Sequence, residues 1–598
     1  MTTPPSGHDD ERVPPTLVTP DQAAAEPQAA HADAAALPRI PAAGPARARI
    51  DLGSPALQGL LALAVYLAVW LAAGALPLVI HPGWAQLGQA GPDPNFYVWA
   101  LRWWPYAIAH GLNPLYSAQV EAPAGASLVW ITTVPPLALL VSPVTLAVGP
   151  VVSFNLLVAV CLPVSGWAAF ALCRRITGRF WPALAGGAVY GFSGYEANHI
   201  GAGQLNLAFS PFLPLMAYLV VLWWDEKIGT RKLVGLLALV MAAQFYLFLE
   251  TFADMTVVLA VALLAGYALA GRSGRPAVAR LIRLVSLAYL LAMAVAAPYL
   301  WFALGHVPPG TRSSARTSLD PMSLVISGYG KAFKLSWLYP HRALRPPVEI
   351  GSYVGIPLLA IAAAMAVLTW SRKITRFLTV MLLFVIVAAL GPVVRVNGHR
   401  LHGLLWKRLW YLPIVRDAFP ARLMVFAFLA LAVIMAIWLT GPSKRLWLRW
   451  LLALLAMSAV VANVPPLNLR SGPGVPSFIT TGEYRHYLAP GATVVVVPAN
   501  TGNAGLLWQA ETGFYFRLAG GYLNHAVAHN VAVPLPVADL VRGTQTPRDI
   551  RRFRSFVRTA GVSAILVEAG SSRSWQIIFA RLGLKHQSIG GVTLYRTT

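Results

Sequence analysis

The chain has 598 residues, of which 57% are hydrophobic and only 11% charged, and its mean hydropathy is +0.60. A soluble globule would carry about 25% charged residues, so that class is excluded and an α-helical polytopic membrane protein is expected. The formal net charge of +24 admits nucleic acid, yet no nucleic-acid module is present and the basic residues fall mostly between apolar segments, where membrane orientation puts them.

Residues 1–55 are rich in Ala, Pro and small polar residues and read as a disordered tail, since they offer too few large apolar side chains to bury a core. The apolar run Ala56 to Ile80 is too long for a signal peptide and reads as a first spanning helix. Arg39, Arg47 and Arg49 before it place the tail in the cytoplasm. An outer connection, 81–150, follows and ends in VPPLALLVSPVTLAVGP, which is apolar but short and interrupted by prolines. This piece is expected to lie in the interface, because counting it as a span would put Arg174, Arg175 and Arg179 outside. Carried on by the same rule, residues 56–464 hold about eleven spans by length. Residues 465–598 change character. ATVVVVP, SAILVE and GVTLYR alternate with two helical stretches, Arg548 to Thr559 and Ser574 to Leu582, as in a small α/β domain, expected on the extracytoplasmic side.

Asp93, in GPDPNFYVWALRWW, sits just beyond the first span; Asp-Pro is a good turn starter, and an acid at a membrane surface is also a candidate catalytic group. The same topology gathers Glu121, Glu196, His199, Glu250 and Asp254 on that face. Glu250 and Asp254 share a helix face and either end a helix in the wet headgroup zone or hold a divalent cation through oxygen ligands. His199 begins HIGAGQLN, where His199, Gln204 and Asn206 are able to hydrogen-bond a polar ligand or simply one another. Arg102 lies in the first outer connection, and the outer stretches 305–349 and 394–422 break the orientation rule with many Arg and Lys residues, Arg416 and Arg422 foremost. Arginine forks suit phosphate oxygens, whether of a lipid-linked substrate or of ordinary anionic membrane lipids. Cys161 and Cys173 share one apolar segment, without the spacing of a disulfide framework or a zinc site. Neither GxxxxGK[ST] nor a strand-to-helix GxGxxG occurs, so nucleotide binding in the cytoplasm has no support.

PDPNFYVWALRWW after a first span, TTVPPLALLVSPVTLAVG, and a span ending in AAFALCRRITGR resemble the first quarter of the GT-C membrane glycosyltransferases, the class that includes protein O-mannosyltransferases and aminoarabinose transferases. YGFSGYEANHIGAGQLNLAF, EIGSYVGIPLLAIA and LWQAETGFYFRLAGGYL resemble uncharacterised bacterial proteins of the same kind. The resemblance implies transfer of a sugar from a polyprenyl-phosphate donor to a cell-envelope glycan, lipid or protein acceptor on the outer side of the bacterial cytoplasmic membrane. It implies Asp93 as general base; Arg102, Glu196, His199, Gln204, Glu250, Asp254, Arg416 and Arg422 are the candidates toward substrate from their residue chemistry and their place on the outer face. Many relatives pair two acids in this loop, whereas Asp93 is followed by Pro94 and Asn95, so a single base is expected, with no cofactor required and a divalent cation left as a candidate. A flippase or transporter of a lipid-linked saccharide and a non-catalytic envelope scaffold are the rival readings.

Overall fold

The computed structural model describes residues 53–83, 85–87, 93–306, 317–326, 351–396, 399–400, 418–442, 445–461, 467–471, 474–497, 504–521, 537 and 546–597. The tail expected at 1–55 lies almost wholly outside the described residues.

Helix α1 (Pro55–Trp70) begins at Ser54, whose hydroxyl accepts from the Leu57 N–H, and the helical path continues to Ile80. Helix α2 (Asp93–Ala109) carries the aromatic stretch of the first outer connection. The proline-broken apolar piece forms two short helices, α3 (Pro135–Leu140) and α4 (Ser142–Val148), neither long enough to cross a bilayer. Then come α5 (Pro150–Thr177), α6 (Phe180–Gly191), α7 (Gly194–Gly201), α8 (Leu205–Ala208), α9 (Phe212–Trp224) and α10 (Thr230–Leu247). These lead to α11 (Leu249–Leu269), α12 (Gly271–Leu304), α13 (Ile356–Leu368), α14 (Lys373–Ala389), α15 (Met424–Thr440) and α16 (Leu446–Val461).

Against about eleven expected spans, seven helical stretches among the described residues are long and apolar enough to cross a membrane, and Ile356–Leu368 and Leu446–Val460 are shorter apolar helices; the chain is a multi-pass membrane protein. Helix α15 is apolar all round and buried along nearly its whole length, as a helix at the centre of a bundle must be. It packs against α5, α6 and α14, while α1 and α11 leave most of their apolar surface outward. Arg272, Arg275, Arg280 and Arg283 are helical, because α12 starts at Gly271. All four are exposed, and two rest on aromatic rings: the Arg275 guanidinium lies 5.3 Å over Tyr267 and that of Arg280 lies 5.8 Å over Trp223.

Polar contacts sort to the two ends of the bundle. At one end Arg175 pairs with Asp225 at 2.6 Å, Arg174 Nε donates to Gln58 Oε1 at 2.7 Å, and Lys373 Nζ donates to the Ala270 carbonyl at 2.9 Å. At the other lie Asp93, α7, the start of α11 and the C-terminal region. This is the segregation that an alternating topology requires.

The C-terminal region holds a five-stranded sheet. Strand β1 (Ala85–Leu87) of the first connection pairs antiparallel with β2 (Leu469–Ser471), just before the sheet begins. The sheet is built from β3 (Thr493–Val497), β4 (Arg517–Leu518), β5 (Val562–Glu568), β6 (His586–Ile589) and β7 (Val592–Arg596), in the order β6-β7-β5-β3-β4. Strand β3 runs parallel to β4 and β5, and the other pairings are antiparallel. Helices α17 (Ala504–Glu511), α18 (Pro547–Thr559) and α19 (Ser572–Arg581) cover it. Val494, Val496, Leu566 and Leu594 face the bundle side with Leu506 and Trp508, while Val495, Val497, Ile565 and Val567 face α18 and α19 with Phe553 and Phe579. Cover on both faces explains why TVVVV reads as a continuous apolar run.

Candidate functional site

Asp93 is the first residue of α2, where a carboxylate is favoured by the exposed N–H groups and the positive end of the helix dipole. It is partly exposed and accepts a hydrogen bond from Gln204 Nε2 at 2.8 Å. Gln204 Oε1 in turn meets His199 Nδ1 at 2.7 Å. An amide oxygen only accepts, so His199 donates through Nδ1, and the three side chains form a chain of hydrogen bonds pointing at the Asp93 carboxylate. Next to it, one helical turn along α2, the Tyr97 hydroxyl donates to Asn206 Oδ1 at 2.5 Å. The glycine turn, through Gln204, and α8, through Asn206, are therefore both bound to one face of α2.

Local sequence explains this turn. Ser193 caps α7 by accepting from the Glu196 N–H at 3.3 Å. Gly203 then adopts φ +74°, and a Cβ there would stand 2.5 Å from Pro94 Cγ, so only glycine lets the turn seat on the start of α2. Tyr195 packs edge-on against His199 with ring centroids 4.4 Å apart. The backbone of Gly351 and Tyr353 lies against Gly194 and Tyr195, where added Cβ atoms would meet backbone at 2.7 and 3.1 Å. Two motifs far apart in sequence, SGYEANHIGAGQ and GSYVG, thus meet beside His199.

Of the residues expected from sequence, Asp93, His199 and Gln204 come together. Glu196 does not join them. It is fully buried, with Ser210 Oγ donating to one carboxylate oxygen, while Ser210 also meets the Tyr190 hydroxyl at 2.8 Å and donates its N–H to Ser165 Oγ at 3.1 Å. The second carboxylate oxygen has no partner among the described residues, and burial pushes the Glu196 carboxyl well above the usual range, against a smaller opposing pull from Ser210. Glu250 accepts from the Phe419 N–H at 2.8 Å and forms an ion pair with Arg422, whose guanidinium lies over the Phe419 ring at 4.0 Å. Asp254 follows, partly buried, one turn further along α11. Arg416 lies outside the described residues, as do most of the other Arg and Lys residues of the two outer stretches, Arg395, Arg400 and Arg422 excepted. Among the described residues, no three His, Cys, Asp or Glu side chains converge as a metal set.

Arg102 faces the C-terminal region instead. Its Nη1 donates to the Thr145 carbonyl at 3.2 Å, and its charge acts on Glu511, which also accepts from the Val151 N–H at the start of α5. Burial raises the Glu511 carboxyl above its ordinary range, opposed by that N–H and by Arg102. Gln509, fully buried, accepts from Trp99 Nε1 at 2.7 Å and donates to the carbonyls of Gln119 at 2.7 Å and Phe516 at 2.9 Å. Trp103 stacks on Trp99 with centroids 5.5 Å apart, and Phe514 stands edge-on to both. So the helix that carries Asp93 is held between the glycine turn and α17. Sequence reading assigned no role to Gln509 or Glu511; their signal was two polar residues inside the otherwise apolar stretch AGLLWQAE.

No family model and no curated protein matches the sequence. Solved structures do match. The arabinofuranosyltransferase AftD from mycobacteria superposes with a TM-score of 0.55 at 15% identity, over 90% of this chain and 39% of that one. The chain therefore spans about two fifths of AftD. ArnT from Cupriavidus metallidurans, solved with undecaprenyl phosphate, superposes with a TM-score of 0.50 at 12% identity, over 91% of this chain and 99% of ArnT. The resemblance read from sequence holds at the level of architecture: the chain has the GT-C fold of membrane glycosyltransferases.

Proposed function

We propose that the chain is a membrane glycosyltransferase that moves a sugar from a polyprenyl-phosphate donor to an acceptor hydroxyl on the outer side of the cytoplasmic membrane. The observation that carries this reading is the placement of Asp93 at a helix start, partly open to solvent and oriented by the His199–Gln204 chain. In the proposed step the Asp93 carboxylate takes the acceptor proton as the acceptor oxygen bonds to the anomeric carbon. The bond from that carbon to the phosphate oxygen breaks with its electron pair, and polyprenyl phosphate leaves from the opposite face with inversion. The undecaprenyl phosphate bound by ArnT, which has the same fold, supports the donor class.

In this reading residues 1–55 are a cytoplasmic tail, 56–464 the membrane domain and 465–598 an extracytoplasmic α/β domain. The direct contact between α17 and α2 supports placing that domain on the side of Asp93. Arg416 and the neighbouring basic residues of the outer stretches hold the leaving phosphate. Arg422, paired with Glu250, orients that segment, and Arg102 joins α2 to the C-terminal domain.

The test is sugar transfer in proteoliposomes with a panel of radiolabelled polyprenyl-phosphate sugars, comparing wild type and Asp93→Asn at matched protein level. Consumption of one donor by wild type and its loss in the variant is expected. Equal turnover by both would remove Asp93 as base, and movement of intact donor across the bilayer without transfer would favour the flippase reading.

A further inference from the structure

Helix α18, PRDIRRFRSFVRT, plays no part in the site described above. Its start is built with care: Pro547 sits in the first turn, the Thr546 hydroxyl accepts from the Asp549 N–H at 3.3 Å, and the Asp549 carboxylate accepts from the Thr546 N–H at 2.9 Å. The Thr546 hydroxyl, which also donates to that carboxylate at 2.8 Å, and then the Thr546 N–H hold the Asp549 carboxyl below its usual range. Ile550, Phe553, Phe556 and Val557 recur on one face and pack onto the sheet, with Phe553 buried and its ring 5.9 Å from Phe579 of α19. At about 100° per residue, Arg548, Arg551, Arg552, Arg554 and Arg558 fall on the opposite arc, and all five are exposed. They span roughly 15 Å of helix at about 1.5 Å per residue. The only acid on the helix is Asp549, and α19 beside it has no acid and ends in the exposed Arg581.

Position decides what such a ridge meets. The sheet stands between it and the bundle: α17, itself packed on α2, lies against one face, and α18 and α19 cover the other. The ridge therefore stands on the face of the sheet turned away from the spanning helices. Guanidinium forks recognise carboxylate and phosphate oxygens, and a row of them fits an anion that repeats along a chain.

We propose that the exposed face of α18 docks an acidic glycan, bearing carboxylates or phosphodiesters, and so holds an envelope polymer beside the transferase. That the anion is a glycan rests on the function proposed above; the ridge itself does not.

The experiment uses the full chain in phosphatidylcholine nanodiscs. Binding is measured with fluorescent polygalacturonate and poly(glycerol phosphate), and with neutral dextran, a short DNA duplex and phosphatidylglycerol vesicles as comparisons. Wild type is expected to bind at least one acidic glycan but not dextran, and more weakly as salt is raised. R551Q/R554Q/R558Q, all surface changes, is expected to bind it roughly tenfold or more weakly, since several ion pairs are lost together. Its melting temperature and donor turnover stay at wild-type values. R272Q/R275Q/R283Q, which removes equal charge from α12, is expected to bind as wild type. Equal binding by the α18 variant, absence of glycan binding by wild type, equally tight DNA binding, or α18-dependent binding to the vesicles alone would each overturn the proposal. Binding is read without turnover, so failure of the transferase reading appears separately.

Discussion

Replacing Gln204 by Leu tests whether the His199–Gln204 chain serves the proposed base. The change keeps the approximate volume but removes the donor that sits 2.8 Å from the Asp93 carboxylate. A hydrogen bond to a charged group contributes about 1.5–3 kcal/mol, and losing it from the orientation of the base corresponds to roughly 10–150-fold in rate. The loss is expected in kcat, with KM for the donor nearly unchanged, because Gln204 acts on the base and not on the lipid. Asp93→Asn alone is expected to cost about 10²–10⁴-fold, the usual contribution of a general base. The decisive measurement is the double variant, assayed by initial rates of sugar transfer in proteoliposomes. If Gln204 works through Asp93, Gln204→Leu costs nothing further in the Asp93→Asn background. A second loss of the same factor there, or a wild-type rate for Gln204→Leu alone, would refute the reasoning.

Gly203→Ala would force a Cβ against Pro94 at φ +74°, a strain of about 1–3 kcal/mol at the base of α2, and is expected to lower kcat at unchanged protein level. Glu250→Ala leaves Arg422 without its ion pair and is expected to cost about 3 kcal/mol, read as a fall in melting temperature; a paired Glu250→Leu/Arg422→Met change recovers part of it. Gln509→Leu takes the side-chain partner from the Trp99 indole and the Phe516 carbonyl, while the Gln119 carbonyl keeps the Leu518 N–H at 2.9 Å, a loss of roughly 1–3 kcal/mol for each group left unsatisfied. Trp fluorescence should report that loss as earlier release of α17 from α2, and an unchanged melt would count against the lock described here. Glu511 supplies a pH test. Its folded-state proton affinity is raised, so the folded chain holds the proton more tightly, and stability declines as pH rises from the ordinary value of about 4.3 through the raised one. Glu511→Gln removes that ionisation, so its melting temperature should gain on wild type as pH rises through the same window. A constant gap would contradict the assignment.

What the sequence determined by itself is local. Runs of apolar residues long enough to cross a bilayer form the helices, prolines break the stretch at 135–148 into α3 and α4, and alternating chemistry beyond 465 places β3, β5 and β7. These follow from backbone hydrogen bonding in an apolar solvent and from side-chain periodicity, which depend on neighbours in the chain. It also put Asp93, His199 and Gln204 at one end of the bundle, because orientation follows from the charges between spans. Pairing was decided elsewhere. Gln204 reaches Asp93 across 111 residues, Arg422 reaches Glu250 across 172, and Gln509 reaches Trp99 across 410. No local signal distinguishes Glu196, which turns into the bundle toward Ser210, from His199, which turns toward Gln204 three residues later. Nor does one mark Arg102 as a partner of Glu511 and Arg422 as a partner of Glu250. Each buried polar group takes whichever partner packing brings within reach, and that is settled only when the helices and the C-terminal sheet have met.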